Sequence, residues 1–74
     1  MKLPVLYPQD LIRIVQKMGF REARQKGSHK IFEHADGRIL LIAFHAQKPI
    51  PLGLLNKIIK KELQTNREKF QKYL

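Results

Sequence analysis

Residues 29–44 read "HKIFEHADGRILLIAF", and this stretch decides the fold. Its first part, "HKIFEH", alternates apolar and polar residues, and its last part, "RILLIAF", is apolar and rich in β-forming residues. Asp36 and Gly37 lie between the two parts, and this pair is typical of the tight connection in a hairpin. The stretch therefore predicts two antiparallel strands.

The length of the hairpin loop decides which side chains share a face of the sheet. A two-residue turn would place His29 on the same face as Leu40. A three-residue loop, residues 35–37 with a left-handed glycine, aligns Phe32 with Leu40 instead. We expect the second register because it buries the larger side chain of Phe32 with Leu40, Ile42 and Phe44, and in that register His29 points away from the helices.

A helix is predicted before the hairpin. Residues 8–18, "PQDLIRIVQKM", carry apolar residues at helical spacing. Pro8 suits the first turn, Asp10 complements the positive end of the helix dipole, and Gly19 can end the helix in a left-handed conformation.

Residues 20–26, "FREARQK", are predicted to form a charged edge strand, which a turn at Gly27 and Ser28 connects to the hairpin. Prolines mark residues 45–51 as a loop. Residues 52–63, "LGLLNKIIKKEL", have helical spacing and predict a second long helix. Thr65 and Glu68 match a capping box, which predicts a short final helix with Phe70, Tyr73 and Leu74 on one side.

The resulting order is α-β-β-β-α with a short extra C-terminal helix, in a single domain over residues 1–74. Both long helices must pack on one face of a three-stranded antiparallel sheet to bury their apolar stripes, which leaves the other face open. We therefore expect an α+β fold with the layout of a double-stranded-RNA-binding domain.

The charge of the chain favours a polyanionic partner. Fifteen Lys and Arg residues against six Asp and Glu residues give a net charge of +9. Nucleic acid is the first expectation, because neutralising phosphates releases counterions, although an acidic protein or an anionic membrane would also be attracted. The chain has no cysteine, and prolines interrupt its short apolar N-terminus, so we expect a cytoplasmic protein without a signal peptide.

Several motifs together resemble one known family. Met18-Gly19-Phe20 is followed by "RQKGSHKIF" at residues 24–32 and by "HADGR" at residues 34–38. With the segment running on to about Lys61, this combination is similar to the HicA (YcfA-like) toxin family, the RNA-cleaving partner in HicA–HicB toxin–antitoxin pairs. The resemblance implies a double-stranded-RNA-binding-like fold, messenger RNA interferase activity and a HicB-type antitoxin that covers the active face.

The resemblance assigns the catalytic role to His29. We expect RNA contacts from the basic and turn residues around it and from the loop after the third strand, namely Arg24, Lys26, Gly27, Ser28, Lys30, Arg38, His45 and Lys48. No metal or other cofactor is expected.

RNA can be cleaved without a metal when a ribose 2′-hydroxyl attacks the adjacent phosphate. This reaction needs a base, positive charge on the phosphoryl oxygens, and an acid for the leaving oxygen. We expect His29 to exchange the proton, and Lys26 and Lys30 to hold the phosphate and keep His29 in its neutral form. The acid is left open among Lys30, His45 and water.

Simpler interpretations remain open at this point. A histidine beside a turn is often a solvated polar residue, and His34 is expected to be a hairpin or surface residue. The spacing of the three histidines matches no compact zinc motif. The same basic face would also suit a non-catalytic RNA-binding module, or an inert toxin that only binds its antitoxin.

Overall fold

The computed structural model describes residues 3–43 and 47–74. Its elements follow one another as α1 (Pro8–Lys17), β1 (Arg21–Lys26), β2 (His29–Glu33), β3 (Ile39–Ala43), α2 (Leu52–Lys57), a π-helical segment (Ile58–Glu62) and α3 (Arg67–Gln71). The three strands form one antiparallel sheet in the order β1-β2-β3. The α+β layout expected from the sequence is confirmed.

Helix α1 begins and ends as its sequence predicts. The Asp10 carboxylate accepts a hydrogen bond from the Tyr7 N–H at 2.9 Å, which satisfies a donor at the helix start. At the other end Gly19 has a φ of +101°, and the Phe20 N–H donates to the Val15 carbonyl oxygen at 2.9 Å. This left-handed glycine cap turns the chain into β1.

The hairpin between β2 and β3 has the three-residue loop. The His34 N–H donates to the Arg38 carbonyl oxygen at 2.9 Å, and Gly37 has a φ of +99°. Phe32 is therefore paired with Leu40, and both are fully buried, whereas His29 is paired with Ala43 on the other face. The predicted register is confirmed, but Phe44, which was also expected in the core, lies outside the described residues.

One apolar core joins the helices to a single face of the sheet. Phe32 is at its centre, and replacing a fully buried Phe with alanine typically costs about 3–5 kcal/mol. The buried residues come from every layer: Leu6, Leu11, Ile14, Val15, Phe20, Phe32, Leu40, Ile42, Leu55, Ile58, Ile59, Leu63 and Phe70.

Two predictions about the C-terminal third are wrong. Residues 52–63 are not one α-helix, because the Leu63 N–H donates to Ile58, five residues back, at 2.8 Å in the π-helical part. The capping residue of α3 is Asn66 rather than Thr65, since the Asn66 side chain accepts from the Lys69 N–H at 2.9 Å.

No helix within the described ranges is long and apolar enough to span a membrane.

Candidate active site on the open sheet face

The sheet face that points away from the helices carries the candidate site. We call it the open face, and cross-strand pairing arranges it in three rows. The first row is Lys26, His29 and Ala43, the second is Arg24, Ile31 and Leu41, and the third is Arg21, Glu33 and Ile39.

The turn between β1 and β2 brings Lys26 and His29 together. Gly27 has a φ of +60°, while Ser28 does not have a positive φ, a combination found in type II′ hairpin turns. The Gln25 side-chain N–H donates to the Gly27 carbonyl oxygen at 3.1 Å and braces the turn. Lys26 and His29 are consequently direct cross-strand partners.

His29 opens into a shallow cleft. The cleft has a volume of about 400 Å³ and is lined by Lys26, His29, Ile31 and Leu41. The imidazole is exposed and lies on the central strand, between the cation of β1 and the small Ala43 of β3. The arrangement combines one imidazole, one fixed positive charge and an aliphatic surface.

Lys30 does not join this site. Its partners are Gln25 and Ile42, so its side chain lies on the helix side of the sheet, where its Nζ is 3.5 Å from Glu22. The expectation that Lys26 and Lys30 flank His29 is therefore wrong for Lys30, because adjacent residues of a strand point to opposite faces.

A β-bulge in β1 sets the charge of the open face. The pairing shifts between Glu22 and Arg24, so that Ala23 is the extra residue. Without the bulge, alternation would place Glu22 on the same face as Arg24. With it, Glu22 lies on the helix side and Arg21 takes its place opposite Glu33.

Arg38 lies at the opposite end of the hairpin from His29, and its guanidinium makes contacts within the protein. Nε donates to Asp36 at 2.8 Å and Nη1 donates to the Leu63 carbonyl oxygen at 2.6 Å. The guanidinium carbon is also 5.1 Å from the centre of the Phe20 ring. RNA contact by Arg38 stays a prediction, but these contacts are those of a structural residue.

His34 is a hairpin residue, as expected, and it also makes contacts within the protein that the sequence did not indicate. Its Nε2 donates to the Met18 carbonyl oxygen at 3.1 Å, and its Nδ1 accepts from the Asp36 N–H at 3.1 Å. The ring also meets Phe20 edge-on, at 5.0 Å between centroids. The signal available in the sequence was the pair of polar residues, His34 and Arg38, that begin and end "HADGR".

The remaining predicted contacts lie on or beyond the loop after β3. Lys48 is exposed in that loop, whereas His45 lies outside the described residues. Within the described ranges, no group of three His, Asp or Glu side chains is placed to hold a metal ion.

These observations define a small α+β domain with helices on one sheet face and a histidine beside cations on the other. Comparison with known families gives a match to the one described as HicA toxin of bacterial toxin-antitoxin, over residues 8–62. This segment is well over half of the chain, and it contains the open face. The chain belongs to the HicA toxin family, and it is a toxin of a toxin–antitoxin system. No curated protein matches the chain significantly.

Proposed function

We propose that this toxin is an endoribonuclease that cleaves messenger RNA in the cytoplasm, with His29 as its general acid–base residue. The observation that carries the proposal is the pairing of His29 with Lys26 at the cleft of a HicA family member. An imidazole and a fixed cation on adjacent strands supply two of the three groups that phosphodiester cleavage by a ribose hydroxyl needs, namely a base and a positive charge for the phosphoryl oxygens.

In the proposed reaction His29 removes the proton from a ribose 2′-hydroxyl. The 2′-oxygen bonds to the adjacent phosphorus and the bond from phosphorus to the 5′-oxygen breaks, which leaves a 2′,3′-cyclic phosphate and a 5′-hydroxyl end. The ribose supplies the nucleophile, so the reaction needs no metal-bound water. Lys26 holds the phosphoryl oxygens as negative charge develops on them.

The leaving oxygen takes its proton from a group other than His29. Nucleophile and leaving group lie on opposite sides of phosphorus in an in-line displacement, so one imidazole serves one side. Lys30 is on the other face of the sheet and is no longer a candidate. His45, which lies outside the described residues, and water stay open as the acid.

The test is a comparison of His29→Ala with Glu33→Ala, which changes another exposed residue of β2 on the same face. Wild type and Glu33→Ala should arrest growth and cleave RNA in the presence of EDTA. His29→Ala should cut at least about 10²-fold more slowly, within the range of general acid–base catalysis. Equal cleavage by a folded His29→Ala protein, with circular dichroism as the check on folding, would overturn the mechanism.

A non-catalytic RNA-binding module is the second candidate function. It is favoured by the composition of the cleft, whose described lining includes one imidazole and no carboxylate that could act as a second acid or base. RNA that is bound but remains intact for hours, with EDTA and with added divalent metal, would establish this alternative.

We also propose that a HicB-type antitoxin neutralises the toxin by covering the open face. Support comes from family membership and from the exposed aliphatic side chains next to His29. Co-expression of a neighbouring HicB-like protein should restore growth and block RNA cleavage. Inhibition that leaves RNA access to His29 unchanged would contradict this arrangement.

A further inference from the structure

The second row of the open face has an aliphatic surface that the proposed chemistry does not use. Ile31 and Leu41 are direct cross-strand partners, both line the cleft of His29, and Leu41 is 52% exposed. Arg24 completes the row as the partner of Ile31 on β1. Exposed aliphatic residues between cations suit a ligand that is both anionic and flat.

The position of this surface fits the covalent structure of RNA. Residues two apart on a strand are separated by roughly 6.6 Å. Ile31 therefore lies on the same face as His29, at a distance that a single nucleotide can span. The ribose carbon that carries the attacking 2′-hydroxyl is bonded to the carbon that carries the base. A nucleotide whose 2′-hydroxyl reaches His29 must therefore place its base close by.

We infer that Ile31 and Leu41 form the floor on which the base on the 5′ side of the scissile phosphate lies. This inference rests on the proposed function and specifies its substrate contact. The first row then holds the phosphate and the second row holds the base, with the Arg24 guanidinium beside it. Because every base has an apolar face and these side chains have no hydrogen-bonding atoms, the floor accepts different bases.

The experiment uses the full chain and the dinucleotide ApA, which contains a single phosphodiester. Leu41→Ser removes the larger exposed part of the floor, and Ile39→Ser is the matched control. Ile39 is also on β3 and is 60% exposed, but it belongs to the third row. Neither substitution empties the buried core, so both variants are expected to fold.

Each protein is tested with ApA and with an analogue whose 5′ residue lacks its base. For wild type and Ile39→Ser, removing the base should lower kcat/KM roughly fivefold, the lower end of what base stacking on aromatic side chains contributes. Leu41→Ser should show that loss already with intact ApA, and base removal should then cost little more. Such non-additivity measures a direct contact.

Equal sensitivity of Leu41→Ser and wild type to base removal would overturn the inference. Weaker binding of a protein antitoxin to Leu41→Ser, without any change in the ApA comparison, would also overturn it by assigning the surface to the other partner. The same comparison is made by NMR titration with ApA methylated at the 5′ residue's 2′-oxygen, which cannot be cleaved. If wild type binds ApA but never cleaves it, the proposed function is wrong. The titration still shows whether the 5′ base contacts Ile31 and Leu41.

Discussion

The guanidinium of Arg38 donates a 2.6 Å hydrogen bond to the carbonyl oxygen of Leu63, which is 25 residues away in the sequence. This bond joins the start of β3 to the end of the π-helical segment. The same side chain donates to Asp36, so one arginine connects the hairpin loop to the C-terminal third of the chain. Its side chain is only 20% exposed, which reduces screening by water.

Replacing Arg38 with alanine is expected to lower the free energy of unfolding by about 2 kcal/mol, because hydrogen bonds to charged groups contribute about 1.5–3 kcal/mol. The control is Arg13→Ala, which removes a 2.7 Å ion pair of an arginine side chain that is 68% exposed. That change should cost less than about 1 kcal/mol. Urea unfolding of both variants measures the difference, and equal losses would contradict the structural role of Arg38.

Gly19 and Gly37 allow backbone strain to be separated from steric contact. Both have φ near +100°, but a Cβ atom at Gly19 would lie 2.8 Å from Nε2 of His34, whereas one at Gly37 would meet no atom within 4 Å. Gly37→Ala should destabilise by roughly 1–3 kcal/mol through strain alone. Gly19→Ala should destabilise by more, because His34 must also move. A larger loss of thermal stability for Gly37→Ala than for Gly19→Ala would contradict this prediction, because it would show that His34 moves away at no cost in free energy.

Acid is expected to weaken the contact between Asp36 and Arg38. The side-chain hydrogen bond from Arg38 holds the pKa of Asp36 below its usual range. The ionised form therefore stabilises the folded state above the pKa of the unfolded chain, and this contribution is lost as the pH falls from about 4 through the folded pKa.

Asp36→Asn should accordingly lose less unfolding free energy than wild type over that acidic range. Glu33→Gln, which changes an exposed carboxylate of the open face, serves as the control for general acid effects. Denaturant unfolding at a series of pH values gives the comparison. Parallel curves for wild type and Asp36→Asn would exclude this linkage.

Lys30 is adjacent to His29 in the sequence and Lys26 is three residues before it, but only Lys26 shares its face. Lys26→Gln is expected to lower RNA cleavage by at least about tenfold, because it removes the charge that faces the phosphate. Lys30→Gln should change cleavage little, and loss of its 3.5 Å contact with Glu22 should cost less than about 1 kcal/mol in stability. Cleavage assays on both variants test this, and similar losses would mean that RNA contacts both faces.

Most of the architecture was accessible from sequence because it follows hydrophobic periodicity and turn chemistry. The register of β2 against β3 could be chosen since one alternative left Phe32 exposed, and Gly37 supplied the left-handed loop residue. The π-helical segment could not be predicted in this way, because Ile58 and Ile59 suit an α-helix equally well. The segment ends where the Leu63 carbonyl oxygen accepts a hydrogen bond from Arg38, a long-range contact that no local pattern encodes.

The candidate site was predicted less completely than the fold. The motif resemblance singled out His29, and the strand pairing puts Lys26 opposite it. Lys30 was misplaced because proximity in sequence was given more weight than strand alternation. His34 was expected in the hairpin, but its contact with the Met18 carbonyl oxygen was not, because that partner is a backbone atom that no side-chain pattern reveals.

The extra residue in β1 also makes the charge of the open face depend on how β1 pairs with β2. If Ala23 entered the ladder instead of bulging out, no side chain would be lost, but regular alternation would move Glu22 to the face now occupied by Arg21. In the third row an anionic side chain would replace a cationic one, because a shift of one residue exchanges the two faces of a strand. A change of pairing distant from His29 would thus repel RNA while leaving the imidazole and its lysine partner in place.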